Sequence, residues 1–243
     1  MDKSGLNIAF FGDSLTEGIV GASYFEILRN KLPQHELYNY GKGGDTVMSL
    51  NRRLRQIDMA SPLDLGILWI GVNDVFVKTR WSIPMRKFMR GQTWAKSHGL
   101  FKEYYISLLE LLQVSIPHII TLPPLLIGED LENAWNKEVS VLSQIIHDIS
   151  VSFPNVDYID LREHFIPLLT SEKVIPYVPK TMLRVFWDAL FPITPEESEK
   201  KAREKGLLFT VDGVHLNRAG AEKVAGVLLK KIHSKIFSTI GKT

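Results

Sequence analysis

Short apolar runs alternate along this chain with longer amphipathic stretches. Residues 6–11 (LNIAFF) form a strand-length apolar run that stops at Gly12. Residues 23–32 (SYFEILRNKL) carry apolar positions at helical spacing, and Pro33 ends them. Residues 36–40 read as a second strand and are followed by GKGGDT. Residues 47–59 read as a basic amphipathic helix. A third strand is expected over 63–70 (LDLGILWI), ending at Gly71-Val72-Asn73-Asp74, and a helix over 100–113. A fourth strand, 116–122, is stopped by Pro123-Pro124. A long helix over 131–152, a fifth strand over 156–161 and a closing helix over 217–237 complete the pattern.

Strand and helix thus alternate five times. That order predicts a parallel sheet covered by helices on both faces. Right-handed crossovers restrict it to a doubly wound sheet, in which ligands bind at the carboxyl ends of the strands. The polar clusters Gly12-Asp13-Ser14, Gly43-Gly44-Asp45 and Gly71-Val72-Asn73-Asp74 each follow a strand, so they are expected on one rim. Two stretches break the alternation, at about 75–99 and 168–209. The reading is one domain over 1–243 with these two insertions, each either a lid or a decoration packed on the body.

Composition narrows the partners. The 243 residues are 45% hydrophobic and 23% charged, ordinary for a globular chain. A formal net charge of +2, from 29 basic and 27 acidic residues, offers no electrostatic case for nucleic acid. There is no cysteine, which excludes disulfides, a thiol nucleophile and a cysteine zinc site. No signal peptide is read at the N-terminus, and no run of about 18 apolar residues predicts a transmembrane helix. A cytoplasmic location is the resulting expectation. Nothing in the pattern sets an oligomeric state.

Ser14 stands where the first apolar run ends. The ordinary role of such a serine is a helix cap or turn, and it lacks the flanking glycines of a G-x-S-x-G elbow. A nucleophilic role needs a base, an orienting acid and oxyanion donors. Of the seven histidines, His35 is expected at the far rim, and His118 reads as a satisfied core histidine inside a strand. His147 and His233 fall in helices, His98 in the first insertion, and His164 just after the fifth strand. His215, in VDGVHLNRAG, alone has an acid at a useful local spacing: Asp212, three residues earlier, with Gly213 permitting a tight turn. The ordinary alternative is that Asp212 and Asn217 cap the last helix and His215 is solvated. Gly43-Gly44 allow close backbone approach to a ligand, and Asn73 offers a neutral donor.

FFGDSLTEG, NYGKGGDT, GVND and DGVH, in this order, resemble the four sequence blocks of the SGNH (GDSL-type) hydrolases. GDSL alone would arise by chance in on the order of 1% of chains this long; four ordered blocks are far more specific. The resemblance spans Ile8 to about Leu229, and TLPPL is similar to what often follows the family's fourth strand. It implies a flavodoxin-like three-layer α/β/α sandwich around a five-stranded parallel sheet. It implies Ser14 as nucleophile, with its own amide, the Gly44 amide and the Asn73 side chain as oxyanion hole. His215 would be the base and Asp212 would orient it. No metal or organic cofactor is implied. Asp13, Asp45 and Asp74 are read as structural residues that tie the loops together, and Thr16 and Glu17 receive no chemical role.

The resemblance implies a carboxylic ester hydrolase acting on a small-molecule ester, an acyl ester or an acetylated sugar. Thioesterase, lysophospholipase and carbohydrate O-deacetylase activities are the alternatives within the family. Trp81, Trp94, Phe186 and Trp187, with Phe88 and Phe191, are candidates to line a substrate pocket. A non-catalytic binding protein on the same fold is a different class of reading, discriminated by whether a fluorophosphonate labels Ser14. A flavin or nucleotide protein is a third, although GKGGDT matches neither GxxxxGK[ST] nor GxGxxG.

Overall fold

The computed structural model describes residues 5–60, 62–78, 93–171 and 195–240. The elements are β1 (Asn7–Gly12), α1 (Ser14–Glu17), α2 (Tyr24–Lys31), β2 (Glu36–Gly41), α3 (Val47–Leu54), β3 (Leu65–Trp69) and α4 (Val72–Lys78). They continue as α5 (His98–Gln113), β4 (Ile119–Leu122), α6 (Ala134–Ser150), β5 (Val156–Tyr158) and a 3₁₀ turn over Leu161–His164. Then come α7 (Ile166–Ser171), α8 (Pro195–Glu204) and α9 (Arg218–Ile240).

The five strands pair in the order β2-β1-β3-β4-β5, all parallel. This is the flavodoxin-like doubly wound order, whose switch point lies between β1 and β3. The apolar run that suggests a core strand is one: Ile8, Ala9, Phe10 and Phe11 in β1 are fully buried, as are Ile67 and Leu68 in β3. Continuous rather than alternating burial is what a strand covered on both faces requires. Helix α2 packs against α9, whereas α3, α5 and α6 pack on one another, giving the two helical layers. The edge strand β2 is only partly buried.

Several boundaries differ from the sequence reading. The basic helix expected over 47–59 stops at Leu54. Arg55 closes it, Gln56 turns back onto Arg53, and Ala60 N–H donates to Tyr40 Oη at 2.8 Å, holding the rest as a loop. Val72 to Lys78 is helical, so Asn73 sits in the first turn of a helix rather than in a loop, and the first insertion begins inside that helix. The long helix starts at Ala134, not 131, because Asn133 caps it by accepting from Trp135 and Asn136 N–H. His118 precedes β4 instead of lying within it. It is half-buried and its Nδ1 has no hydrogen-bond partner among the described residues, so it is not a satisfied core histidine. No helix among the described residues is long and apolar enough to cross a membrane.

Candidate active site

The rim at the strand carboxyl ends is built by local hydrogen bonding. Gly12 ends β1 against its neighbours: a Cβ there would stand 2.3 Å from Thr16 Oγ1 and 2.4 Å from the Trp69 carbonyl. Only glycine fits the strand so close to β3 and α1. Asp13 then caps α1, its Oδ1 accepting from Leu15 N–H at 3.0 Å. Ser14 is therefore the first residue of α1, and the capping role that its position suggested belongs to Asp13.

After β2, Lys42 N–H donates to the Gly12 carbonyl at 3.1 Å, which brings the GKGGDT loop beside Ser14. Gly43 N–H donates to Glu17 Oε2 at 2.9 Å, and a Cβ on Gly43 would lie 3.9 Å from Ser14 Cβ. Gly44 has φ 79°, the left-handed region that glycine adopts without strain. Asp45 accepts from Arg53 Nε at 2.8 Å, and Arg53 Nη2 also donates to the Tyr40 carbonyl. After β3, Asn73 is buried and its Nδ2 donates to the Asp45 carbonyl at 2.9 Å. That bond fixes the amide orientation, because a carbonyl can only accept. Asp74 Oδ2 accepts from Val47 N–H at 2.9 Å, joining the starts of α3 and α4.

The segment before α9 completes the arrangement. Thr210 and Leu216 form an antiparallel bridge, and Val211 N–H donates to the His215 carbonyl at 2.8 Å. Gly213, with φ 92°, turns the chain between them. Asp212 Oδ1 accepts from Val214 and His215 N–H at 2.9 and 2.8 Å, while its Oδ2 lies 2.7 Å from His215 Nδ1. His215 Nε2 lies 3.0 Å from Ser14 Oγ. A hydroxyl, an imidazole and a carboxylate thus form one hydrogen-bonded chain. The Asp212 contact places the ring proton on Nδ1 and leaves Nε2 able to accept the hydroxyl proton. Asp212 does not cap α9. Asn217 does, accepting from Gly220 N–H.

Burial opposes an imidazolium at His215, but the Asp212 carboxylate and its hydrogen bond, with Asp13 and Glu17 nearby, more than offset it and raise the pKa above 6.5. Burial likewise opposes the Asp212 carboxylate, yet His215 and the backbone donors hold its pKa below 3.8. Asp13 and Asp74 behave differently. Burial pushes each of them up to about 7, with neighbouring carboxylates adding to the rise and backbone hydrogen bonds opposing it. Asp74 Oδ1 has no hydrogen-bond partner among the described residues.

The other histidines stay away from Ser14. His35 Nδ1 accepts from Leu6 N–H at the opposite end of the sheet, and His98 pairs with Glu138 at 2.7 Å. His147 lies in α6 and His233 in α9. His164 lines a surface groove with Lys223 and Lys230. Of the aromatic candidates, Trp94 is half-buried beside Thr93, whose carbonyl accepts from Thr46 Oγ1 at the start of α3. Trp81, Phe88, Phe186, Trp187 and Phe191 lie outside the described residues. Among the described residues, no group of three or more His, Cys, Asp or Glu side chains is placed to hold a metal ion.

One residue near this site carries no expectation from the sequence. Glu129, in the loop after β4, is buried, and its carboxylate accepts from Leu208, Phe209 and Thr210 N–H, immediately before the Asp212–His215 turn. The available signal was the acid that ends the apolar stretch LPPLLIGE, on the rim side of a strand.

Comparison with known proteins bears on the family and the fold. A family model described as the GDSL-like lipase/acylhydrolase family matches residues 10–223. The solved structure of an acetyl xylan esterase is 24% identical with a TM-score of 0.64, covering 93% of this chain and 100% of that one. That of an acetylxylan esterase from Geobacillus stearothermophilus is 20% identical with a TM-score of 0.65, covering 95% and 96%. Catalytic mutants of the latter enzyme, in which a serine, an aspartate or a histidine is replaced by alanine, share the fold to the same degree. No curated protein matches the chain by sequence.

Proposed function

The chain belongs to the GDSL-like lipase/acylhydrolase family and is a carboxylic ester hydrolase; within that family, we propose that it works through an acyl-enzyme on Ser14. The observation that carries this reading is the unbroken chain Ser14 Oγ to His215 Nε2 at 3.0 Å and His215 Nδ1 to Asp212 Oδ2 at 2.7 Å. Ser14 Oγ attacks the ester carbonyl carbon while His215 Nε2 takes the hydroxyl proton. The carbonyl π pair moves to oxygen, and the oxyanion is held by the Ser14 and Gly44 amides and the second N–H of Asn73. The C–O bond to the alcohol then breaks, and His215 returns its proton to the departing oxygen. Water, deprotonated by the same imidazole, attacks the acyl-serine and releases the acid and free Ser14. Asp212 stays ionised throughout and stabilises the imidazolium that forms twice per cycle.

For the substrate, we propose acetyl or other short acyl groups on a carbohydrate. The support is the likeness, over nearly the whole length of both chains, to two enzymes described as acetylxylan esterases. Rates on p-nitrophenyl esters from two to twelve carbons test it. A steep fall beyond four carbons, with acetate released from acetylated xylo-oligosaccharides, is the expected result. A maximum at eight carbons or more would overturn the short-acyl reading in favour of a lysophospholipase or long-chain thioesterase.

A further inference from the structure

We propose that Glu129 is a positioning residue that holds the Asp212–His215 turn at the distance from Ser14 which catalysis requires. The inference rests on the roles given above to Ser14, Asp212 and His215. Glu129 is only 4% exposed. Its Oε2 accepts from Leu208 N–H at 2.7 Å, and its Oε1 accepts from Phe209 N–H at 2.8 Å, Thr210 N–H at 3.0 Å and Thr210 Oγ1 at 3.0 Å. Three consecutive backbone donors converging on one carboxylate make an anion-binding concavity, and bonds to a charged acceptor are about twice as strong as neutral ones.

The anchor itself is rigid. Asn136 Oδ1 accepts from Ile127 N–H at 2.9 Å, and Asn136 Nδ2 donates to the Asp130 carbonyl at 2.7 Å. Asn133 Nδ2 donates to the Ile127 and Asp130 carbonyls. Both asparagines are fixed at the start of α6. Gly128 N–H adds a direct strut, donating to the Gly213 carbonyl at the tip of the turn, at 2.6 Å. The loop after β4 therefore grips the turn at its base and at its tip.

The grip leads to the chemistry by a short path. Only Val211 separates Thr210 from Asp212, and the Thr210–Leu216 bridge and the Val211–His215 bond close the turn into one unit. A shift at 208–210 moves Asp212 and His215 together relative to Ser14, which is carried by a different strand. A misplacement of about 1 Å costs about 10²-fold in rate. The carboxylate is needed for its acceptors: all four groups facing it donate, so an amide would turn its NH₂ toward donors.

The test uses the full chain with p-nitrophenyl acetate, with kcat expressed per site titrated by a fluorophosphonate. In Glu129→Gln, kcat per titrated site falls about 10²-fold with KM unchanged. The acidic limb of its pH profile moves to lower pH, because a loosened Asp212 no longer holds the imidazolium as firmly. Thr210→Val, which removes one of the four contacts and keeps the backbone donors, gives a smaller change in the same directions, and it carries the test if Glu129→Gln does not fold. Wild-type kcat per site and an unmoved limb in the folded variant would overturn the inference, including when the number of titratable sites has fallen. A wild-type chain that neither reacts with the fluorophosphonate nor hydrolyses the ester would instead remove the reading of Ser14, and this inference with it.

Discussion

Asn73 carries two amide hydrogens, and the Asp45 carbonyl takes one of them. The other is the donor proposed above for the oxyanion. Asn73→Ala is therefore expected to lower kcat by about 10²–10³ with little change in KM, measured by steady-state hydrolysis of p-nitrophenyl acetate. Asp212→Asn preserves the size of the side chain but places an amide against the ring, favouring the wrong tautomer. A fall of about 10⁴ in kcat is expected. The raised pKa of His215 sets the acidic limb of kcat/KM above the usual histidine value of 6.5. In the proposed mechanism activity needs the neutral imidazole, so it is lost as pH falls through that raised value. A limb at or below 6.5 would contradict the pairing with Asp212. These residues were legible because each carries its chemistry in its side chain, Asn73 after a strand and Asp212 and His215 at a local spacing around Gly213. Glu129 was not, because three of its four partners are backbone N–H groups about eighty positions away, which leave no mark on residue type.

At the scale of elements, the site depends on how closely β1 and α1 approach β3. Gly12→Ala would drive a Cβ to 2.4 Å from the Trp69 carbonyl, a backbone atom that cannot rotate away. A loss of roughly 1–3 kcal/mol in urea unfolding is expected, together with a lower kcat, because the same shift moves Ser14. An unchanged unfolding midpoint would show that the strand end relaxes freely. The central strands were readable from the apolar runs, since a doubly covered strand has to be apolar throughout, whereas the flavodoxin-like arrangement came from the family resemblance. Helix ends were less so. The stop of α3 at Leu54 depends on Tyr40, which lies on another element and holds Ala60. The helical start at Val72 was hidden because Gly-Val-Asn-Asp looks like a turn until the chain packs. Asp74 joins the starts of α3 and α4 and Asp45 pairs with Arg53 of α3, whereas the described bond of Asp13 is a local cap on Leu15 and joins no loops.

Across the molecule, two buried carboxyls among the described residues resist ionisation, Asp13 and Asp74, each raised to about 7. Between 3.8 and about 7 the folded chain keeps protons that the unfolded chain has released. Stability therefore falls as pH rises through that window, by up to about 1.4 kcal/mol per pH unit for each group. Asp212, whose pKa is depressed, acts in the opposite sense at lower pH. Melting temperature should thus decline from about pH 5 to pH 8, and the decline should be shallower in Asp74→Asn. A melting temperature that rises over that range would contradict the burial of these groups as acids. The sheet brings Ser14, Asn73 and the Asp212–His215 turn together from distant parts of the chain, and the account stands or falls on what they do jointly. The most direct measurement is rapid quench of the wild-type chain with p-nitrophenyl acetate, followed by mass spectrometry of its peptides. The account predicts a burst of one p-nitrophenol per chain and an acetyl group on the Ser14 peptide, both absent in Ser14→Ala. Hydrolysis that persists in Ser14→Ala, or an acetyl group on another residue, would contradict it.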